Sequence, residues 1–532
     1  MIHLSKKWRY LLSILSGILM VLSFPFTGSL SLLAFVAWIP LLLIEKNTIS
    51  FRHRSGRIFV HAYLTFLIYN IGTTWWIWNA SVGGAILAFV LNSILMAIAF
   101  YVFHKINKKI GPKFSLLTLL TCWIGFEYLH HNWELSWPWL TLGNAFSIRP
   151  SWIQWYSFTG VLGGSVWILL VNYFGAKILQ QTFIANKNWQ WNKRTNFFLL
   201  GSFGLPLFVS IVLFQNYKEL KNPLEIVAIQ PNIDPYDEKF TIPLEDQLQK
   251  ILALGQSKIT PSTALILAPE TAISEAFYEN DFGQSSLHHF LQNKLINWHN
   301  KSLYIGASTY KLFPIKNSRA SIPLEGGPGF YENYNSSLLM NGNKNYDFVH
   351  KSKLVLGVEK IPFSNWLPFL ESLSIQNGGT SGTLGIENSP KILRAANVSF
   401  APLICYESIY GEFNAEQCRK GAEIICIITN DGWWGDTPGY KQHASFAAIR
   451  AIENRRSVAR SANTGISCYF NQRGERIAAS KWCEPTALRQ ELNRNKAQSF
   501  YTKNGDYLGK LSLLIVSILA IYSLFTRPKK MI

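Results

Sequence analysis

NVSFAPLICYE, residues 397–407, carries a nearly unbroken apolar run between an asparagine and a Cys-Tyr-Glu end. Apolar runs of this length, closed by polar or turn residues, suit strands buried inside a domain. The same kind of run recurs on both sides of it: LEIVAIQPN (224–232), ALILAPE (264–270), SLYIGAS (302–308), NSSLLMN (335–341) and EIICIITN (423–430). Helical stretches accompany some of them, such as ASFAAIRAIENRRSVARS (444–461), whose apolar residues recur at helical spacing. Strands alternating with helices predict an α/β domain whose sheet is covered by helices, here over residues 218–507.

Three of these segments end in a chemically capable residue. ALILAPE closes on Glu270, NVSFAPLICYE presents Cys405, and between them VHKSKL (349–354) offers Lys351 and Lys353. In α/β sheets, ligands gather at the carboxyl ends of strands. A carboxylate can take a thiol proton there, an ammonium can stabilise developing negative charge, and the thiolate can attack a carbonyl. Taken singly, each residue says little, because a cysteine in an apolar strand is usually a small buried hydrophobe.

The rest of the chain is of another kind. The 532 residues are 48% hydrophobic and only 15% charged, against about 25% charged in ordinary soluble proteins. Tyr10 to Ile44 holds no Asp, Glu, Lys or Arg. A membrane helix takes about 20 apolar residues, so this run predicts two spans broken near Pro25 and Gly28. Ile58 to His104 predicts two more, with a hairpin around residues 79–84. Phe114 to Phe126, Pro150 to Ala176, Thr195 to Tyr217 and Leu511 to Thr526 complete the set, giving about eight spans. A charge at the centre of such a helix would cost roughly 2.5–3.5 kcal/mol, which is why runs this long lack them. The expected organisation is a membrane domain of seven helices over 1–217, an extracytoplasmic catalytic domain over 218–507, and a last helix with a cytoplasmic tail over 508–532.

The formal net charge of +19 could point to nucleic acid, but its placement does not. Alternate loops carry Lys6, Lys7 and Arg9, then Lys46, Arg52, Arg54 and Arg57, then Lys105, Lys108, Lys109 and Lys113. The series continues with Lys187, Lys193 and Arg194 and ends in Arg527, Lys529 and Lys530, while the opposite short loops hold mainly Arg149. Base-rich loops stay in the cytoplasm, which puts both tails inside and residues 218–507 outside. A signal-peptide reading of the first run is less apt, since a second span follows at once without a small-residue cleavage site. No CxxC pair occurs among the six cysteines, so no metal or cofactor is expected. Cys418, Cys426, Cys468 and Cys483 read as core residues, with a disulfide open in an oxidising compartment.

The motifs together resemble the nitrilase (carbon-nitrogen hydrolase) superfamily, and within it the apolipoprotein N-acyltransferase family. The resemblance rests on Pro269-Glu270, on HKSKLVLGVE (350–359), on Cys405-Tyr406-Glu407, and on TNDGWWGDTPGYKQH (429–443) with RAIENRRSVARSANTGIS (450–467). It covers nearly the whole chain, spans included. It departs from the family at Leu356-Gly357-Val358, at the long segment from Lys311 to Tyr331, and at Phe240, where the family has a tryptophan. The fold it implies is a polytopic helical membrane domain joined to an α-β-β-α sandwich. The catalytic set it implies is Glu270, Lys351 and Cys405, supported by Glu359, Tyr406 and Glu407. Lys353 is the rival of Lys351, and the spacing to Glu359 favours Lys351. His443 reads as structural. The implied partners are a phospholipid acyl donor and a diacylglyceryl-apolipoprotein acceptor at a bilayer, in the bacterial inner membrane with the site on the periplasmic side. WELSWPWL (133–140) is placed to line a lipid entrance or sit in an interfacial belt, and Trp433 and Trp434 share that belt reading. Two rival functions stay open: a membrane-bound amidase that passes the acyl group to water, and a non-catalytic lipid-binding or transport scaffold. Spans free of charge speak against the last.

Overall fold

The structure, a computed structural model, describes residues 3–51, 53–181, 193–343, 345–363, 383–395 and 398–526. Of the basic residues read for topology, Arg52, Lys187, Arg527, Lys529 and Lys530 lie outside the described residues, as does Asn397. The chain forms two compact units: Met1–Trp78, Ala85–Asn216 and Asp506–Ile532 make one, and Asn79–Gly84 with Tyr217–Gly505 make the other.

The first unit is helical. Its long helices run over Lys6–Ser23, Ile39–Ser50, Gly56–Thr74, Val82–Ile110, Ser115–His131, Val161–Leu179, Lys193–Asn216 and Tyr507–Phe525. Among the described residues, five segments are long and apolar enough to cross a membrane: Ser31–Ser50, Val82–Ile110, Val161–Leu179, Lys193–Asn216 and Tyr507–Phe525. The last two turn much of their apolar surface outward, with Phe197 at 72% exposure and Phe525 at 82%. Apolar area on that scale is unfavourable in water at about 25 cal/mol per Å² and costs nothing against lipid. This is a membrane protein. The interior of the unit is aromatic: Trp38, Trp76, Trp123, Trp139 and Trp167 are fully buried, and the Trp38 and Trp123 rings meet edge to face at 4.4 Å. Trp139 is therefore a core residue and does not line an entrance, whereas Trp133 of the same segment is 38% exposed.

The expectation of charge-free helices needs correction at two places. Glu45 and Glu127 are both buried in this unit. Each lies one residue beyond an apolar run, and the helix continues through it. Each finds local partners at Oε1: that of Glu127 accepts from the Trp123 indole at 3.0 Å and the Leu142 amide at 2.9 Å, and that of Glu45 from the Asn107 amide group at 3.1 Å, with His104 Nδ1 at 3.2 Å.

The second unit is an α-β-β-α sandwich. Its first sheet contains β1 (Pro223–Gln230), β2 (Thr263–Leu267), β3 (Ile273–Tyr278), β4 (Ser302–Phe313), β5 (Ile322–Pro323), β6 (Phe330–Met340) and β7 (Tyr346–His350). The second contains β8 (Leu393–Ala395), β9 (Val398–Ile404), β10 (Ile424–Thr429), β11 (Val458–Ala462), β12 (Cys468–Phe470) and β13 (Arg476–Ala479). The final strand, β14 (Thr486–Asn493), returns to the first sheet, whose order is β14-β1-β2-β4-β6-β5 with β3 beside β4 and β7 beside β6. The second sheet runs β13-β12-β11-β10-β9-β8. Each sheet has a parallel centre, β1-β2-β4 and β9-β10-β11, the arrangement that needs both faces covered. The facing layers meet through Tyr304 and Phe400 at 5.2 Å and through the Tyr469 hydroxyl, which donates to the Ile226 and Leu488 carbonyls. Outside the first sheet, helices Leu244–Gln256 and Ser286–Asn297 bury Leu248, Ile251, Leu252, Leu291 and Leu295 against Val227, Ile266 and Ile305. Helices Gly411–Arg419 and Pro438–Asn454 accompany the second sheet.

Two local expectations change. The helix read over 444–461 ends at Asn454, where Arg455 turns left-handed at φ 51°. Its guanidinium lies 4.5 Å from the Tyr217 ring, Arg456 donates to the Ala422 carbonyl at 2.7 Å, and the following residues become β11. Helical spacing and a short buried strand are indistinguishable across that Arg-Arg step. Cys483 is exposed, whereas Cys418, Cys426 and Cys468 are buried, and all six cysteines are free thiols. The unmatched segment after Lys311 is a hairpin, with β4 running to Phe313 and pairing back on β6 at Phe330.

Candidate active site

Glu270, Lys351, Glu359 and Cys405 line one cavity of about 120 Å³, together with Asn335, Asn430, Lys239 and Trp433. Three of them arrive from strand ends. β2 ends at Leu267 and Ala268-Pro269 carries the chain to Glu270; Lys351 follows β7; Cys405 follows β9 and opens a single 3-10 turn, Cys405–Ile409. Cys405 sits in the left-handed region at φ 52°, a conformation that a non-glycine residue keeps only where its surroundings enforce it. The enforcement is visible: the Ser408 hydroxyl donates to the Cys405 carbonyl at 2.7 Å, and His443 Nε2 lies 3.2 Å from the same oxygen.

Lys351 is buried and pairs with two carboxylates, Glu270 Oε1 and Glu359 Oε1, both at 2.9 Å. The Asn335 side-chain amide donates to the same two oxygens at 2.8 Å. The Asn430 backbone N–H holds Glu270 Oε2 at 3.0 Å, and the Val355 N–H holds Glu359 Oε2 at 2.8 Å. Burial opposes both charges of the pair. The Glu270 carboxyl is nevertheless held below its ordinary value by Lys351 and Asn335, and the Lys351 ammonium well above its own by Glu270 and Glu359. Burial pushes the Cys405 thiol well above its usual range, with Glu270 adding to the effect and Lys351 opposing it. The resting site therefore presents a neutral thiol beside an ionised carboxylate, a nucleophile still to be activated and a base ready to do it.

The other expected residues take distinct places. Lys353 points its ammonium at the rings of Tyr410 and Phe413, at 5.0 and 6.0 Å, whereas Lys351 is the lysine paired with Glu359. Glu359 holds the lysine. Glu407 does not: it accepts from the backbone N–H of Ile404 at 2.8 Å and Ser352 at 2.6 Å, tying the cysteine turn to the lysine loop. Burial raises its carboxyl to about 7, those N–H groups opposing. The Tyr406 ring is buried against Tyr410 at 5.3 Å. Phe240 is half exposed at the cavity, where Trp433 and Trp434 also lie.

Cys405, Asp431 and His443 offer ligand atoms within 4.8 Å of one another, but the chemistry does not suit a cation. Asp431 Oδ1 accepts from Thr429 at 2.9 Å and lies 2.9 Å from His443 Nδ1, and Oδ2 takes the Arg460 guanidinium. Despite burial, Arg460 and His443 hold Asp431 well below the usual carboxylate range. The cluster already contains its cation, and His443 serves to pin the cysteine turn.

Asn335, Asn430 and Lys239 were missed by the sequence reading. The two asparagines lie in NSSLLMN and TNDGWWG, where a polar residue at the edge of an apolar run is the only signal. Gly306 is another. A Cβ there would fall 2.5 Å from Glu270 Cα and from Thr271 N. Gly306→Ala is expected to lower stability by about 1–3 kcal/mol, as overpacking does, and to displace Glu270. An unchanged thermal midpoint would show that the strand yields freely there.

The chain belongs to the carbon-nitrogen hydrolase family, whose model matches residues 226–502. Residues 16–174 match the N-terminal domain of apolipoprotein N-acyltransferase. The apolipoprotein N-acyltransferase of Chlorobaculum tepidum is 29% identical over 522 residues, covering 96% of both chains. That of Geobacter metallireducens is 25% identical, covering 93% of this chain and 92% of the relative. Among solved structures, Saccharomyces cerevisiae Nit3, a nitrilase-superfamily member, is 17% identical with a TM-score of 0.35, over 52% of this chain and 92% of its own. The resemblance read from the motifs is borne out.

Proposed function

We propose that this chain is an acyltransferase that moves a fatty acyl group from a phospholipid, through a thioester on Cys405, to the α-amine of a diacylglyceryl-cysteine at the N-terminus of an apolipoprotein. The observation that carries the reading is Lys351 clamped between Glu270 and Glu359 in the cavity that also holds Cys405.

Glu270 takes the thiol proton as the sulfur attacks the ester carbonyl of the donor. The oxyanion is met by Lys351, by the Tyr406 backbone N–H, and by Asn430, whose buried side-chain N–H₂ has no partner among the described residues. One such donor contributes about 3 kcal/mol to the transition state. Collapse breaks the ester C–O bond, and the leaving alkoxide takes the proton back from Glu270 and departs as a lysophospholipid. The acceptor amine then attacks the thioester, Glu270 removes its proton, and Cys405 is restored as the thiol. Two transfers through one nucleophile give ping-pong kinetics.

The apolar helices fit substrates anchored in lipid, since drawing an acyl chain into water costs about 0.8 kcal/mol per CH₂. We assign about eight spans in a bacterial inner membrane with both tails in the cytoplasm and the catalytic domain on the periplasmic side, on the alternation of base-rich loops. Domain limits of 1–217, 218–507 and 508–532 follow from the same assignment.

The test is intact-mass analysis of the full chain in detergent with phosphatidylethanolamine. The expected result is one acyl mass on Cys405, labile to hydroxylamine, that passes to an added diacylglyceryl-cysteine peptide. An unmodified Cys405 would refute the thioester. An adduct lost only to water, with the peptide unmodified, would establish the amidase-type hydrolase instead.

A further inference from the structure

The cavity holds a second lysine that the mechanism leaves unused. Lys239 is 6% exposed and lines the same space as Cys405 and Glu270. Its backbone is fixed on both sides, the N–H donating to the Asp234 carbonyl at 2.9 Å and the carbonyl accepting from Gln247 Nε2 at 2.9 Å. Its Nζ donates to the Thr271 hydroxyl, directly beside Glu270.

An ammonium has three N–H donors. Among the described residues, Lys239 uses one of them, on a neutral hydroxyl, and forms no ion pair. Lys351 next to it is the contrast, held by two carboxylates. Glu270 is near enough to be felt, but its oxygens are committed to Lys351, Asn335 and the Asn430 N–H. Burial accordingly pushes the Lys239 ammonium down to about 8, with Glu270 opposing. A buried cation without a counter-charge is unfavourable, and an arriving anion that accepts its free N–H groups relieves it, with charge-assisted bonds of roughly twice the neutral strength.

Granting the acyl transfer proposed above, we infer that Lys239 binds the phosphate of the phospholipid donor while the donor's ester lies at Cys405. One glycerol backbone carries both groups, so a single molecule presents its ester to the thiol and its phosphodiester to a cation a few atoms away. The acceptor, a thioether-linked diacylglyceryl-cysteine, carries no phosphate. Lys239 thus separates the two half-reactions: it selects the donor and releases its grip when the lysophospholipid leaves.

The experiment measures acylation of Cys405 by phosphatidylethanolamine and by a p-nitrophenyl ester of the same fatty acid, in the parent, Lys239→Met and Lys239→Arg. The ratio of kcat/KM for the two donors is expected to fall at least tenfold in Lys239→Met, mainly through KM, and to recover most of the way in Lys239→Arg. An unchanged ratio, with both donors slowed alike, would overturn the inference and assign Lys239 to Glu270 or to the fold. A second measurement keeps the native lysine. In Cys405→Ala, which cannot turn the donor over, phosphatidylethanolamine should slow acetylation of Lys239 at least fivefold and diacylglycerol should not; equal protection by both would also overturn it. A parent that forms no thioester with either donor sinks the transferase reading itself. A parent that forms the thioester, beside variants that keep the ratio, sinks the Lys239 role alone.

Discussion

Lys351→Met is expected to abolish acyl transfer and to cost roughly 3–5 kcal/mol of stability, the range for removing one partner of a buried ion pair. The substitution keeps most of the apolar stem and removes the terminal ammonium, its charge and its three N–H donors together. What remains is Glu270 and Glu359 joined through one Asn335 amide, two buried carboxylates with no cation between them. Like charges that close do not both stay ionised, so one takes up a proton near neutral pH and the base is lost along with the oxyanion's cation. The pH dependence carries a sign. In the parent, Lys351 holds the Glu270 carboxyl below its ordinary value. The resulting stability is fully present above the unfolded carboxylate pKa of about 4.3 and is lost as pH falls through the folded value. The gap between parent and variant is therefore widest at pH 7–8 and closes below about pH 4, where the carboxylates of the variant are protonated as well. Lys353→Met is the control. Its cation–π contacts with Tyr410 and Phe413 are worth about 0.5–1 kcal/mol, and acyl transfer should survive. Thermal midpoints in detergent across pH, with a lipoprotein-peptide acylation assay, check both variants. Parent-like stability of Lys351→Met at pH 8 would mean that the two carboxylates are not ionised together.

The strands and the residues that close them were legible because burial writes itself into sequence as apolar runs, and chemistry must stand where such runs stop. Glu270, Lys351 and Cys405 each follow a strand end by at most three residues. What escaped was governed by contacts across the fold. Asn335 faces inward from the middle of β6, and only the antiparallel register of β4 on β6, Ala307 opposite Ser336, brings that strand near Gly306 and the Glu270 turn packed against it. Lys239 sat next to Phe240, which drew attention as an aromatic, while the lysine looked like one more surface charge. Glu127 and Glu45 were lost to a rule that stops counting at the first charge, although a helix continues through a carboxylate once indole, amide or imidazole partners are waiting for it. The role of Glu407 was half visible: its place after the cysteine marked it as part of the site, but that it ties backbone N–H groups and leaves the ammonium to Glu359 depends on how two loops meet.

Cys405→Ala separates an enzyme from a scaffold. The thiol is neutral and buried, so replacing it with a methyl removes one sulfur from a small site and should leave the thermal midpoint within a few degrees of the parent. Acyl transfer, by contrast, should fall to background, because the two charged groups that work with the thiol are already committed: the Lys351 ammonium is protonated and doubly paired, and the Glu270 carboxylate is held by three donors. Glu270→Gln is the informative companion. It keeps the shape and leaves the thiol in place but removes the base, so thioester formation should slow by about 10²–10⁴-fold without vanishing. The amide must also present an N–H₂ either to the Asn430 N–H or to Lys351 and Asn335, a clash of donors that should lower the midpoint more than Cys405→Ala does. The two variants thus fall in opposite orders, the cysteine variant the more stable and the more inactive. A scaffold whose cavity only holds lipid would show neither effect on acylation, and a Cys405→Ala protein that still acylates the peptide would place the nucleophile elsewhere.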